Sequence, residues 1–231
     1  MSIKSHKSSQ KAKDVYKPFK DFHSNPVLKI GPNISSILQE DPKLLSFISS
    51  RHKFVGKMFN DFENVLEIGC MEGFGSLIVS KFVKNLKSID FYEEHIEAAQ
   101  IFLKDSPNID VECIDILEFS EQLKFDGCFA LDVLEHIDPD QEKLFMRKVH
   151  SILKPNGVFI VGLPSIESQK YTSIANRDAH INCQESGALT GKLKNYFYNV
   201  FSFGMNDEVI HTGYDKMCNY IIKLCTSPKR I

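Results

Sequence analysis

No apolar stretch among the 231 residues approaches the roughly 20 needed to cross a bilayer, and the first residues contain no signal-peptide core. The sequence therefore predicts a soluble, cytoplasmic protein with no membrane partner. It also lacks a C-x-x-C pair. Cys70, Cys113, Cys128, Cys183, Cys218 and Cys225 are scattered, mostly within apolar strands, which argues against a disulfide framework or a metal site and for buried free thiols in a reducing compartment. Net charge is nearly absent, because 28 basic and 30 acidic residues leave −2, so there is no global field to attract nucleic acid. No repeat of 20–50 residues is present, which excludes a solenoid. The biased segment is the start, where Lys4, Lys7, Lys11, Lys13, Lys17 and Lys20 read as a flexible, solvated basic tail. An irregular lead-in with Pro26, Gly31 and Pro32 follows to residue 40, placed to close over substrate. Residues 41–231 form one domain, and 42% hydrophobic residues suffice for its core.

The richest stretch is residues 64–76. Val65, Leu66 and Ile68 form a short buried strand, Gly69 and Gly73 permit backbone angles and a close ligand approach that a side chain forbids, and Leu77, Ile78, Phe82 and Val83 restore a helical apolar face. A dinucleotide fingerprint spaces its glycines G-x-G-x-x-G to admit a pyrophosphate. Gly69, Gly73 and Gly75 follow a different order, and Glu67 at the strand end suits a ligand with positive charge.

Three further strands repeat the pattern of an apolar run closed by an acid. Residues 86–91 contain Asp90, 21 positions after Gly69, where a doubly wound fold sets a carboxylate against ribose hydroxyls. Residues 109–114 lead into Asp115 and Ile116, an acid for an exocyclic amine beside an apolar residue for a flat base. Residues 125–131 end at Asp132-Val-Leu-Glu-His136. Four carboxylates, Glu67, Asp90, Asp115 and Asp132, thus point to one crevice at the carboxyl ends of a parallel sheet.

On these pieces, with Leu153-Lys-Pro-Asn-Gly157 running into Val158-Phe-Ile-Val-Gly162, the chain resembles the class I S-adenosylmethionine-dependent methyltransferases over about residues 45–226. The resemblance implies an α/β fold with a doubly wound, mostly parallel seven-stranded sheet, Rossmann-like, with an antiparallel edge strand. It implies S-adenosylmethionine as cofactor, with Glu67, Gly69 and Gly73 around the methionine part, Asp90 on the ribose, Asp115 at the adenine amine, Phe91 and Ile116 flanking the base, and Asp132 near the methionine end. Met71 departs from the family's usual glycine and narrows the turn.

Residues 153–157 read as a helix stop and turn, and residues 158–163 as a fifth strand. Residues 164–185 lose periodicity and form a substrate-side insertion. A helix is expected over 191–198, then strands over 200–203 and 219–225 as the late hairpin. Leu44, Leu45, Phe47, Ile48, Phe54, Val55 and Met58 recur at helical intervals ahead of the first strand. That helix packs on the sheet, with Arg51, His52 and Lys53 in reach of a cofactor cover.

Methyl transfer from a sulfonium needs alignment of a nucleophile more than a protein nucleophile, and a hydroxyl acceptor gains from a base such as histidine, whose ordinary pKa is about 6.5. His136, after the fourth strand, and His180, in the insertion, are the catalytic candidates, with His211 behind them. The reading is methyl transfer to a small-molecule acceptor, at oxygen and on a saccharide, by a monomer or homodimer. A cofactor-binding partner or sensor module without catalysis, for which Met71 speaks, and a nicotinamide oxidoreductase remain open alternatives.

Overall fold

A computed structural model describes residues 28–231. The basic tail expected from the lysine run falls on residues 1–27, outside the described residues.

Helices α1 (Pro32–Glu40) and α2 (Leu44–Met58) precede an alternation of strands and helices. These are β1 (Asn64–Ile68), α3 (Phe74–Val79), β2 (Asn85–Asp90), α4 (Glu93–Leu103), β3 (Ile109–Cys113), β4 (Phe125–Leu131), α5 (Glu142–Ile152) and β5 (Leu153–Pro164). Then follow α6 (Ile174–Ala179), α7 (Ser186–Leu193), β6 (Phe197–Asn206), β7 (Val209–His211) and β8 (Tyr220–Pro228), with 3-10 turns at Leu134–His136, Ile166–Tyr171 and Asp215–Met217.

The strands make one sheet in the order β3-β2-β1-β4-β5-β8-β6-β7. The first five in sequence pair in parallel, and β8, β6 and β7 pair antiparallel at the far side. The α/β class, the mostly parallel sheet and the reversed late strands are those expected. The sheet has eight strands rather than seven, because Val209–His211 pairs back onto Gly204–Asn206. Three residues are too few to carry a readable alternation.

The chain adds β2 and β3 on one side of β1 and then crosses back to add β4 and β5 on the other, so the crevice of a doubly wound sheet opens above β1 and β4. Side chains alternate across the pleat there. Leu66, Ile68, Cys128 and Ala130 face one core with Phe145, Met146, Val149 and Ile152 of α5, while Val65, Phe129 and Leu131 face the other with Val55 and Phe59 of α2. Each fully buried aliphatic or phenyl side chain contributes about 1.5–3 kcal/mol, so both faces hold β1 and β4 rigidly beneath the crevice.

Three local expectations change. The lead-in is helical over Pro32–Glu40: Pro32 sits at a helix start, where its missing N–H costs nothing, and Glu72 receives the next two backbone N–H groups. The helix expected at 191–198 lies earlier, at Ser186–Leu193, because Leu189 and Leu193 are the pair one turn apart that faces the core. Phe197 instead enters β6 and stacks on Phe159, with ring centroids 6.2 Å apart. The fifth strand begins at Leu153, its register against β4 shifting between Phe125 and Gly127 to absorb the Pro-Asn-Gly residues as a bulge.

Candidate functional site

The four acids close neighbouring strands at one rim. Asp115 follows β3, Asp90 ends β2, Glu67 is the penultimate residue of β1 and Asp132 follows β4, and the registers set Ile68 beside both Ile89 and Ala130. The glycine turn rises between them. Gly69 has φ +77°, and a Cβ there would sit 2.4 Å from Val133 Cγ2, so the turns after β1 and β4 touch across the crevice only because position 69 lacks a side chain.

The turn is laced to β2. The backbone N–H of Met71 donates to Asp90 Oδ2 at 2.9 Å, and that of Tyr92 to Asp90 Oδ1 at 3.0 Å. Asp90 is buried, its carboxylate oriented by backbone before any ligand arrives. Met71 holds a left-handed φ of 47° and turns its side chain toward solvent, 43% exposed. Glu67 is buried and accepts from Ser88 Oγ at 2.7 Å. Burial, aided by the Asp90 charge, pushes its pKa up to about 7. His52 of α2 approaches Glu67 Oε1 to 3.7 Å, in the space that a side chain at Gly75 would occupy, and burial lowers its pKa.

On the outer side, Phe91 is 62% exposed and leans on Tyr92, with ring centroids 4.2 Å apart. Asp115 is exposed and accepts from the Leu117 N–H at 2.8 Å, while Ile116 behind it is buried in the core. On the inner side, Asp132 has φ 57° and receives Arg51 Nη1 at 2.7 and 3.1 Å, while the guanidinium lies 3.7 Å above the Tyr220 ring.

The two candidate histidines, 44 positions apart, come together, their ring centroids 5.1 Å apart in an edge-to-face pair. The 3-10 turn after β4 carries His136, and His180 caps the end of α6. The insertion is held down by Asn182, whose N–H donates to the Glu135 carbonyl at 2.9 Å and whose amide donates to Glu142 at 3.0 Å. Burial, then the neighbouring His136, lowers the His180 pKa. His211 lies apart in the β6–β7 hairpin, its Nδ1 accepting from the Gly213 N–H at 2.9 Å.

Three residues escaped the sequence reading. Glu72 clamps α1, and Tyr220 supports Arg51; nothing local marks either. Glu135 lies inside the Asp-Val-Leu-Glu-His stretch, three positions after Asp132, and that spacing was available as a signal. A depression lined by Asn64, Asn85, Asn108 and Phe125 sits at the opposite, amino-terminal edge of the strands, away from the glycine turn.

The donor set fits an adenosyl sulfonium and disfavours a pyrophosphate. Residues 67–73 carry Glu67 and Glu72 and no basic side chain, carboxylates crowd the strand ends, and an open aromatic ring, Phe91, stands beside the ribose-type acid.

The family model of a methyltransferase domain matches residues 66–161. Over 103 residues the chain is 31% identical to a carboxy-S-adenosyl-L-methionine synthase of Helicobacter pylori (strain HPAG1), covering 42% of each protein. Over 98 residues it is 30% identical to a ubiquinone biosynthesis O-methyltransferase of Bradyrhizobium diazoefficiens (strain JCM 10833 / BCRC 13528 / IAM 13628 / NBRC 14792 / USDA 110), covering 42% of this chain and 38% of the relative. The matched region thus spans about two fifths of these relatives' own length. The fold resembles that of an N-methyltransferase from Bradyrhizobium japonicum WM9 in complex with S-adenosyl-L-homocysteine, with a TM-score of 0.65, 18% identity, and coverage of 93% of this chain and 98% of that one.

Proposed function

We propose, for a chain that belongs to the class I S-adenosylmethionine-dependent methyltransferase family, that it transfers a methyl group from S-adenosylmethionine to a hydroxyl of a small-molecule acceptor, with a saccharide as the acceptor class. The observation that carries the reading is the gathering of four strand-end acids at the crevice above β1 and β4, with the His136–His180 pair beside the inner one. The O-methyltransferase relative supports oxygen as the acceptor atom. The polar segment 206–213 and the Arg51-His-Lys-Phe context support a saccharide.

The cofactor supplies an electrophilic methyl group on a sulfonium. The chain's own residues hold and orient. In this reading Asp90 accepts from the ribose hydroxyls, its orientation already set by two backbone N–H groups, which cuts the ordering cost of binding. Asp115 accepts from the adenine amine, with the exposed Phe91 flanking the base and Ile116 supporting that side from within the core. Glu67, Gly69 and Gly73 surround the methionine part, the bare glycines letting the turn pack closely on Val133 and Leu103 and the Glu67 carboxyl group lying nearest its charge. Asp132, fixed by Arg51, closes the inner end. His136 and His180 activate the acceptor hydroxyl, since in-line displacement demands an aligned oxygen with its lone pair available.

Calorimetry with S-adenosylmethionine and S-adenosylhomocysteine tests the reading. Asp90→Ala removes charge-assisted hydrogen bonds of roughly 1.5–3 kcal/mol each, so both ligands should bind at least about tenfold more weakly. Turnover with hydroxylated acceptors, saccharides included, should then add one CH2 to the acceptor mass. Binding of a nicotinamide dinucleotide with none of S-adenosylmethionine sinks the proposal, and cofactor binding without turnover on any acceptor favours the sensor module.

A further inference from the structure

We propose that Glu135, His136 and His180 form a binding site for a divalent first-row transition cation at the inner end of the crevice. One ligand atom from each lies within 4.8 Å of the others. Glu135 is fully buried, and among the described residues neither carboxylate oxygen has a hydrogen-bond partner. A buried carboxylate is paired, hydrogen-bonded, held neutral by a proton or bound to metal in a stable fold, and Glu135 has neither of the first two, which leaves its oxygens available to a cation that displaces the proton.

The histidines are arranged to give lone pairs. His136 Nδ1 lies 3.0 Å from the Ala179 carbonyl, which only accepts, so Nδ1 carries the proton and Nε2 is free. His180 Nδ1 lies 3.0 Å from Gln169 Oε1, and the Gln169 amide nitrogen is turned to the Ser165 carbonyl, which sets the oxygen toward His180 and again frees Nε2. An acceptor on the far ring nitrogen is the usual brace of a metal-bound imidazole. Metal bonds of about 2.1 Å place donors about 3–3.5 Å apart, so the three donor atoms, now within 4.8 Å of one another, would draw together on the cation. Two imidazoles and one carboxylate suit zinc, iron, manganese or cobalt better than calcium, and three protein ligands leave coordination positions open.

The role of the cation, unlike its binding, rests on the methyltransferase reading. An acceptor hydroxyl that takes an open position loses its proton to solvent more readily. The oxygen lone pair then forms the new C–O bond while the C–S pair departs with sulfur. The two histidines thus activate the hydroxyl through the cation and not as free bases.

Tag-free full-length chain, stripped with chelator, is titrated with Co2+ and Mn2+ by calorimetry, with Co2+ absorption reporting coordination by nitrogen and oxygen. One equivalent per chain is expected. His180→Ala, on the insertion and away from the core, should weaken it tenfold or more, with circular dichroism unchanged, and Gln169→Ala about tenfold. Absence of Co2+ binding, or affinity that His180→Ala leaves unchanged, overturns the site. Cation binding at His180 without S-adenosylmethionine binding keeps the site and removes the methyltransferase reading. Turnover that survives chelation in a chain that binds no Co2+ does the reverse.

Discussion

Arg51 and Asp132, separated by 81 positions, meet with Nη1 2.7 Å from Oδ2. Through this contact helix α2 reports on the turn after β4. The guanidinium is wedged between that carboxylate and the Tyr220 ring, so it ties α2, the turn after β4 and β8 together.

Arg51→Met should therefore loosen α2 from the sheet. Asp132 is partly open to solvent, which limits the electrostatic part, and the loss should amount to about 1–2 kcal/mol. Urea unfolding measures it. In a double-mutant cycle with Asp132→Asn the two losses should be less than additive, and full additivity would remove the coupling.

Glu72 should matter more to α1 than to the core. Its carboxylate accepts from Asn33 N at 2.9 Å, Asn33 Nδ2 at 3.0 Å and Ile34 N at 3.0 Å, joining the start of α1 to the glycine turn. Glu72→Ala should cost about 1–3 kcal/mol and expose the segment around α1 to limited proteolysis. Cleavage there at the wild-type rate would mean that α1 is held by other contacts.

Glu67 sets a pH dependence. Its folded pKa, about 7, lies above the ordinary 4.5, so the native state holds a proton that the unfolded chain has already released. That contribution is complete below about pH 4.5 and disappears as pH rises through 7. It is worth on the order of 3 kcal/mol over that interval. Between pH 5 and 7.5 the wild type should lose stability relative to Glu67→Gln in urea titrations. Parallel curves for the two proteins would place the proton elsewhere.

Met71→Gly tests whether the turn is obstructed. The left-handed φ of 47° strains a methionine, and its side chain points outward. Relief of strain and the extra flexibility of glycine oppose each other, so stability should change by less than about 1 kcal/mol. S-adenosylmethionine affinity should stay within about threefold. A gain of tenfold or more would identify Met71 as a plug and favour the sensor reading.

The late elements mark the limit of what periodicity reveals. Ser186–Leu193 and Val209–His211 are short, and only contact with the sheet decides which of several weak local patterns forms. The α1 helix was illegible for the same reason, since its start is completed by Glu72, 39 positions away from Asn33.

The sequence by itself determined the parallel core, the glycine turn and an acid at the end of each of four strands, because strand alternation, glycine freedom and chain direction act over a few neighbouring residues. Only the tertiary structure decided that Arg51 neutralises Asp132, that Glu135 is enclosed without a partner, and that His136 and His180 share one corner. Those depend on contacts between residues distant along the chain, whose encounter follows from packing both faces of the sheet and from no local pattern.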